Sequence, residues 1–404
     1  MAGRGRIGDR LLCHTFGVLL VVLVLLSSVV GAKAQEGASA EVGASGLTEM
    51  LAMVPAELPE LEDPEGLYVA YADLAAQLDA VGIEPPASFE DEGFRDWSRA
   101  TLGMWLPSIP SLWFQEFRAD YGFDLLQAEQ TLEISLPPFN LSLYRGQFDE
   151  AAVLAALEEI GYRPGGVADR LVLSLGDEIS FEGPGRYTLG AMNYMTILED
   201  GTLAFASQRS TIEAIIAVDN GEAPSMAEED GVATLLSHAP SDLVTALLAP
   251  GTQLMADPLA GFLRTEAGAT PDLDAMATEQ AAIAEMPRVS LALLGETAGG
   301  PLMPAGEGTP EPLPENVPAA RGVIVLLMPG PAAAEAAVPV IEERLATGAT
   351  LSNGQPFAQL FPDPTVTAVP EEAVVVVELP FGETSRGILR VLFNSRDLGF
   401  VTWA

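Results

Sequence analysis

The chain has 404 residues, 49% of them apolar, and carries 57 acidic against 19 basic side chains for a formal charge of −38. Such a charge repels a phosphate backbone and an acidic lipid surface, which excludes nucleic-acid binding and unassisted adsorption to anionic membranes. One cysteine (Cys13) and two histidines (His14 and His238) exclude an intramolecular disulfide, and after export they exclude thiol catalysis and a Cys/His zinc site.

The first 34 residues read as an export signal. Arg4, Arg6 and Arg10 form a basic start, residues 16–30 an apolar core, and Ala32-Lys33-Ala34 a cleavage site before Gln35. The apolar run is shorter than the roughly 20 residues a spanning helix needs, so the expectation is cleavage between Ala34 and Gln35 and an extracytoplasmic protein. An uncleaved N-terminal anchor is the alternative, and the only route to a membrane. Cleavage would remove Lys33, the sole lysine, together with Cys13, and leave an exported body without either residue type. Residues 35–47 are small and polar, a flexible leader.

Residues 48–138 read as a helical, aromatic-rich segment. Helical spacing runs over 47–54 and 68–81, the latter through Tyr71, Leu74 and Leu78 to a stop at Gly82. The window 94–123 then gathers Phe94, Trp97, Trp105, Trp113, Phe114, Phe117, Tyr121 and Phe123. Trp97, Trp105 and Trp113 are the candidate ligand-binding residues, since indole rings stack sugars and grip apolar partners; the competing reading packs them in the core.

A first sheet-and-helix module is expected over 139–248. It holds a strand at 139–144, a helix capped by Asp149 with Val153, Leu154, Leu157 and Ile160 inward, and short strands at 170–175 and 187–191. Asp200-Gly201 then marks a hairpin with a two-residue loop, which would set Leu198 opposite Leu203 and Thr196 opposite Phe205. Both faces of that ribbon are apolar, so it should be covered on two sides. A helix follows, with Ser210 as N-cap, Glu213 closing a capping box, and Ile212, Ile215 and Ile216 buried. A helix at 226–237 and a strand at 242–248 complete the module.

Residues 249–287 read as a helical connector. The second module, 288–404, opens with a strand at 288–294 and is interrupted by a Pro/Gly/Glu-rich loop at 296–322. Beyond it come a strand at 323–328, a helix over 331–347 that contains Pro339, strands at 365–369 and 373–379, a helix at 384–393 and a last strand at 398–403. Both modules thus show the split-βαβ, ferredoxin-like order, and the fold class is α+β with a duplication as a hypothesis.

Catalytic apparatus is sparse in the sequence. There is no Gly-x-Ser-x-Gly elbow, no Gly-x-Gly-x-x-Gly loop and, after export, no lysine for a Schiff base or P-loop. His238 stands at a helix end, where a histidine serves the helix dipole, and it would be the only base for a serine triad. Carboxylates are plentiful: Asp177, Glu178 and Glu182, or Glu228, Glu229 and Asp230, are clusters from which acid pairs for glycoside hydrolysis could come. No metal or cofactor is called for.

The succession GFDLLQAEQTLEISLPP (122–138), LYRGQFDEAAVLAALEEIGY (143–162), ILEDGTLAFASQRSTIEAII (197–216) and SRDLGFVTW (395–403) resembles a group of uncharacterised exported bacterial proteins. The resemblance implies export and an α+β body and brings no activity with it. The functional expectation is a non-enzymatic exported protein that binds a small molecule or a protein partner. The alternatives are a carboxylate-dependent hydrolase and an envelope scaffold that uses the 296–322 loop. A pocket joining one of the tryptophans to two acids would favour the hydrolase.

Overall fold

The computed structural model describes residues 45–59, 67–108, 115–136, 139–176, 188, 190–255, 285–300, 317–382 and 386–403. The expected signal with Ala34 and Gln35, the candidate Trp113, the acids 177, 178 and 182, most of the 249–287 connector and the middle of the 296–322 loop lie outside the described residues. Its strands are β1 (Tyr68–Asp73), β2 (Ala128–Leu136), β3 (Phe139–Gly146), β4 (Arg163–Val167), β5 (Arg170–Ser174), β6 (Tyr194–Ile197), β7 (Leu203–Ala206), β8 (Leu243–Pro250), β9 (Leu291–Thr297), β10 (Arg321–Leu327), β11 (Thr365–Val369) and β12 (Val374–Pro380). All twelve join one sheet in the order β11-β12-β10-β9-β8-β1-β2-β3-β7-β6-β5-β4. Every neighbouring pair is antiparallel. The protein is α+β, and its two halves share a single sheet.

Several elements differ from their sequence reading. Residues 68–73, expected as the start of a helix, form β1, and the helix begins only at Leu74, where Asp73 caps Leu74–Val81 by accepting the Ala76 N–H. Val69 to Ala72 are buried on both faces, so no polar face marks either period. β2 also falls inside the stretch expected to be helical. β4 escapes the sequence reading because Pro164, Gly165 and Gly166 are poor strand formers, tolerated here on an exposed edge. The expected last strand, 398–403, consists mainly of turns with one isolated bridge from Trp403 to Met255. Its apolar residues Leu398, Phe400 and Val401 are buried in the layer that covers the sheet.

The Asp200-Gly201 hairpin forms, one residue out of the expected register. Ile197 pairs with Leu203, and Leu198 N–H donates to the Thr202 carbonyl, which leaves a three-residue loop with Gly201 at φ 84°. The slip exchanges the faces of β7 relative to β6. Met195, Leu203 and Phe205 now lie together on one side, and Tyr194, Ala204 and Ala206 on the other; both sides are buried. Asp200 fixes the loop by accepting the Thr202 N–H at 3.0 Å and Arg145 Nη2 at 2.8 Å. The helix that follows, Arg209–Asp219, takes Gln208 rather than Ser210 at its N-cap, while Ile212, Ile215 and Ile216 are buried as expected.

The strand order is arranged about the middle of the sheet. In the second half β10 leads through the Pro331–Thr347 helix to β11, and β12 lies between these two parallel strands. In the first half β3 and β6 stand in the same relation through β7, after the Glu150–Glu159 helix and the added hairpin β4–β5. Beside β3 and β10 lie β2 and β9, and beyond those β1 and β8, which pair with each other. The place next to β10 that a closing strand at 398–403 would have filled is taken by β9. A local two-fold through the Tyr71–Ala246 pair exchanges Ala70 with Thr245, and therefore their partners Glu133 and Glu296.

Helices cover both faces. One face packs Tyr71, Leu132, Ile134 and Ala246 against the Gly46–Leu51, Arg209–Asp219 and Asp230–His238 helices in a single cluster. The other face carries three clusters: around Leu294, Ile324 and the Pro331–Thr347 helix, around Phe123, Tyr144 and Phe205, and around Trp97, Leu74 and Leu125. Glu133 and Glu296 lie on this second face, at the seams between its clusters.

Candidate ligand-binding cavity

β2 alternates Thr131, Glu133 and Ser135 toward the second face, all buried, in the middle of an apolar sheet. A buried carboxylate needs donors, and Glu133 has three. Ser108 gives it both its backbone N–H and its hydroxyl, and Asn140 Nδ2 donates to Oε1 at 3.0 Å. Asn140 is oriented in turn by Ser142, whose hydroxyl donates to Oδ1 at 3.0 Å. Burial still pushes the Glu133 carboxyl above its ordinary value, against the lowering effect of these donors.

The same bonds tie the segment 102–108 down over the sheet. Trp105 N–H donates to Thr245 Oγ1 at 2.8 Å, and that hydroxyl donates to the Tyr71 carbonyl at 3.0 Å. Thr245 and Glu133, on β8 and β2, thus hold the segment across β1. On its far side Gly103 touches Gly387: a Cβ at position 103 would stand 2.6 Å from the Gly387 Cα.

Gly387 is the N-cap of the Ile388–Asn394 helix, and Glu296 holds that end. Its Oε2 accepts the Gly387 N–H at 2.8 Å and its Oε1 the Leu389 N–H at 3.3 Å. The Arg386 guanidinium stands 3.6 Å away at its Nε, beyond hydrogen-bond length, as an ion pair in which both groups are buried. Burial raises Glu296, with Arg386 and the two N–H groups opposing, and it lowers Arg386 to about 10. One turn on, Arg390 donates from Nη1 to the Met104 carbonyl and lies over Trp105, 5.9 Å from the ring centroid.

Between the two anchored pieces, over β1, is a cavity of about 500 Å³. Tyr68, Ala70 and Glu133 line it from the sheet, Ser98, Thr101 and the 102–108 segment from one side, and Arg390, Phe393 and Asn394 from the other. Trp105 and Phe393 meet edge to face at 5.5 Å in its wall. Tyr68 is raised by burial and further by Glu133. Arg390 is lowered by burial, and a guanidinium remains charged under any ordinary condition.

Of the three tryptophans singled out by sequence, Trp105 lines this cavity. Trp97 is 1% exposed, stacked on Phe94 at 5.7 Å in the cluster beneath the Leu74–Val81 helix, and does not reach it. Phe117, Tyr121 and Phe123 are core residues. The described walls bring a single carboxylate, Glu133, to Trp105, where an acid pair for glycoside hydrolysis needs a second one about 5–9.5 Å away. Glu228, from one of the acidic clusters, is spent on the Ser225 N–H in a capping box. His238 ends its helix and meets Glu372 at 2.9 Å. No group of three His, Cys, Asp or Glu side chains gathers at metal-binding distance among the described residues. No described helix is long and apolar enough to cross a membrane.

Sequence reading missed Tyr68, Ser108, Glu133 and Arg390. A signal existed for two of them: Glu133 is the one acid in the run Thr131–Ser135, and Arg390 the one charge in Ile388–Asn394, both otherwise uncharged. Compared with known protein families, with curated proteins and with solved structures, the chain matches none.

Proposed function

We propose that the chain is an exported, non-enzymatic binding protein whose small-molecule site is the cavity bounded by Tyr68, Trp105, Glu133 and Arg390. The observation that carries this reading is the cavity itself. Its volume, about 500 Å³, falls in the range of roughly 300–1,000 Å³ typical of ligand pockets. It joins apolar and aromatic walls to a few polar groups, and each wall is fixed by buried bonds, so the site is formed before a ligand arrives. Export rests on the basic start, apolar core and Ala-x-Ala site of residues 1–34, and on the resemblance of four stretches to exported bacterial proteins. An acid-rich surface suits a secreted body and keeps nucleic acid away.

The strand order supports a finer reading of the fold. Each half would be one copy of a duplicated module in which a helix links two parallel strands split by a third, as in ferredoxin-like sheets, with the fourth strand supplied from upstream.

A thermal-shift screen of the purified protein against sugars, lipids, peptides, organic acids and calcium tests the function. The expected result is saturable stabilisation by one small-molecule class, abolished by Ser98→Phe, which fills the cavity from its rim. A shift that survives Ser98→Phe would place the ligand elsewhere, and no shift with any class would sink the small-molecule reading and leave a protein partner. Mass spectrometry of the secreted chain should find Gln35 at the N-terminus; an intact Met1 would indicate an anchor.

A further inference from the structure

Resting on the cavity as the ligand site, we infer that the ligand is an organic acid with an apolar body and a single carboxylate, held by the Arg390 guanidinium. Acids outnumber basic residues by 57 to 19 in this chain. Arg118, Arg145, Arg170 and Arg209 each have a carboxylate within 4 Å. Arg390, facing the cavity, forms no ion pair with a described carboxylate. A guanidinium carries five N–H donors. The Met104 carbonyl takes one at Nη1, and the others meet no acceptor among the described residues.

Its position is fixed. The Glu296 carboxylate holds the first N–H groups of its helix, the Met104 carbonyl holds one arm of the fork, and the Trp105 ring lies beneath. A fork so placed is pre-organised for a planar carboxylate, which accepts two parallel bonds from it. The wall around it is largely apolar, formed by Trp105, Phe393, Leu102 and Leu106, and a contact to a half-buried guanidinium is stronger than one on the open surface.

The other charged group in the cavity does not call for a cation. Glu133 already accepts from Ser108 twice and from Asn140 once, so most of its acceptor capacity is filled. It does limit the ligand, since a second carboxylate deeper in the cavity would meet it. One anionic end at Arg390 and an uncharged body over Trp105 and Phe393 satisfy both walls. The long-range repulsion from the acidic surface is screened over about 8 Å at physiological salt, and the Arg390 contact is shorter than that.

The purified protein is titrated calorimetrically at physiological salt with phenylacetate, indoleacetate and decanoate, each against its primary amide and the corresponding amine. At least one acid should bind about tenfold or more tightly than its amide, the difference expected of a charge-assisted bidentate contact, and its amine should bind weakest. Arg390→Gln should remove the acid's advantage over its amide, and Arg390→Lys should keep part of it. A melting curve of each variant separates this from unfolding. An acetylated dipeptide with a free or an amidated end tests the other source of the same group: tighter binding of the free end, with the simple acids silent, supports the carboxylate inference and assigns it to a peptide terminus. Amides or amines that bind as well as the acids would overturn the inference while the cavity reading stands. An acid preference that survives Arg390→Gln would also overturn it. Silence from every compound, the peptides included, overturns the inference and counts against the reading beneath it.

Discussion

Glu133 and Glu296 are exchanged by the two-fold of the sheet, and their surroundings differ. Both are buried glutamates on the same face, both anchor a crossing segment through backbone N–H groups, and both are raised by burial. At Glu296 the chain supplies its own cation: Arg386 fills the space beside the carboxylate, at 1% exposure. At Glu133 neutral donors satisfy the carboxylate, and the adjacent space is the cavity. One half has closed its seam with a salt bridge, and the other has left its seam open. The difference teaches that two positions related by the sheet's two-fold can be satisfied in opposite ways, one by a buried counter-charge and the other by neutral donors that leave a cavity beside it.

The comparison breaks most visibly at the closed seam. Arg386→Met leaves Glu296 buried without its counter-charge, and removing one partner of a buried pair costs about 3–5 kcal/mol. Among the described residues the Arg386 Nη1 and Nη2 atoms meet no hydrogen-bond partner, so the guanidinium itself is poorly satisfied there. The double variant Glu296→Gln with Arg386→Met should therefore recover most of the loss. Urea denaturation of the three proteins checks this, and a double variant no more stable than Arg386→Met alone would refute it.

Next in size is the contact that joins the two segments. Gly103 and Gly387 lie backbone to backbone, at φ 95° and 88°, and a Cβ on Gly387 would meet the Gly103 Cα at 2.5 Å. Gly387→Ala should cost about 1–3 kcal/mol through strain and displacement. It should also weaken ligand binding, since it moves Arg390 and the 102–108 segment apart. A destabilised variant with unchanged binding would show that the cavity does not depend on this crossing.

Much of the scaffold was legible in the sequence where local chemistry is strong. The Asp149 cap, the Pro331–Thr347 helix, the core isoleucines of Arg209–Asp219 and the strand pairs at 365–369 and 374–380 each follow from caps, proline placement or β-branched runs. The register of β6 and β7 was not legible, because a two-residue and a three-residue loop around Asp200-Gly201 place apolar residues on both faces equally well. The site was less legible still. Tyr68, Trp105, Glu133 and Arg390 are far apart in the chain and meet through a sheet whose halves close on each other at β1 and β8. The aromatic window pointed at Trp97 as strongly as at Trp105, and only packing separates a core ring from a wall ring.

Equivalent hairpins sharpen the comparison of halves. β6–β7 turns at Gly201, φ 84°, while β11–β12 turns at Ala373, φ 55°, a residue with a Cβ in the left-handed region. Gly201→Val should destabilise by about 1–2 kcal/mol, and Ala373→Gly should be neutral or stabilise by up to about 1 kcal/mol. Opposite signs in thermal melting would show that both turns hold as described. Wild-type stability of Gly201→Val would mean that the first turn is wrong.

The smallest effect belongs to the open seam and is read through pH. Burial raises Glu133 above its ordinary value of about 4.5, so the folded state holds that proton more tightly than the unfolded chain does. The sign follows from linkage: the contribution is fully present below about 4.5 and is lost as pH rises through the higher folded value. Glu296 and Asp124, also raised, act in the same direction. Asp200, which burial raises but its Thr202 and Arg145 contacts lower on balance, acts oppositely, so the share of Glu133 is read as the difference in slope between the wild type and Glu133→Gln. Glu133→Gln keeps an acceptor for Ser108 and should remove its share of the slope at a cost of about 1–2 kcal/mol or less in the acid limit. If urea midpoints of the wild type and Glu133→Gln run parallel across that window, Glu133 is not a strained buried acid, and the contrast with Glu296 loses its electrostatic half.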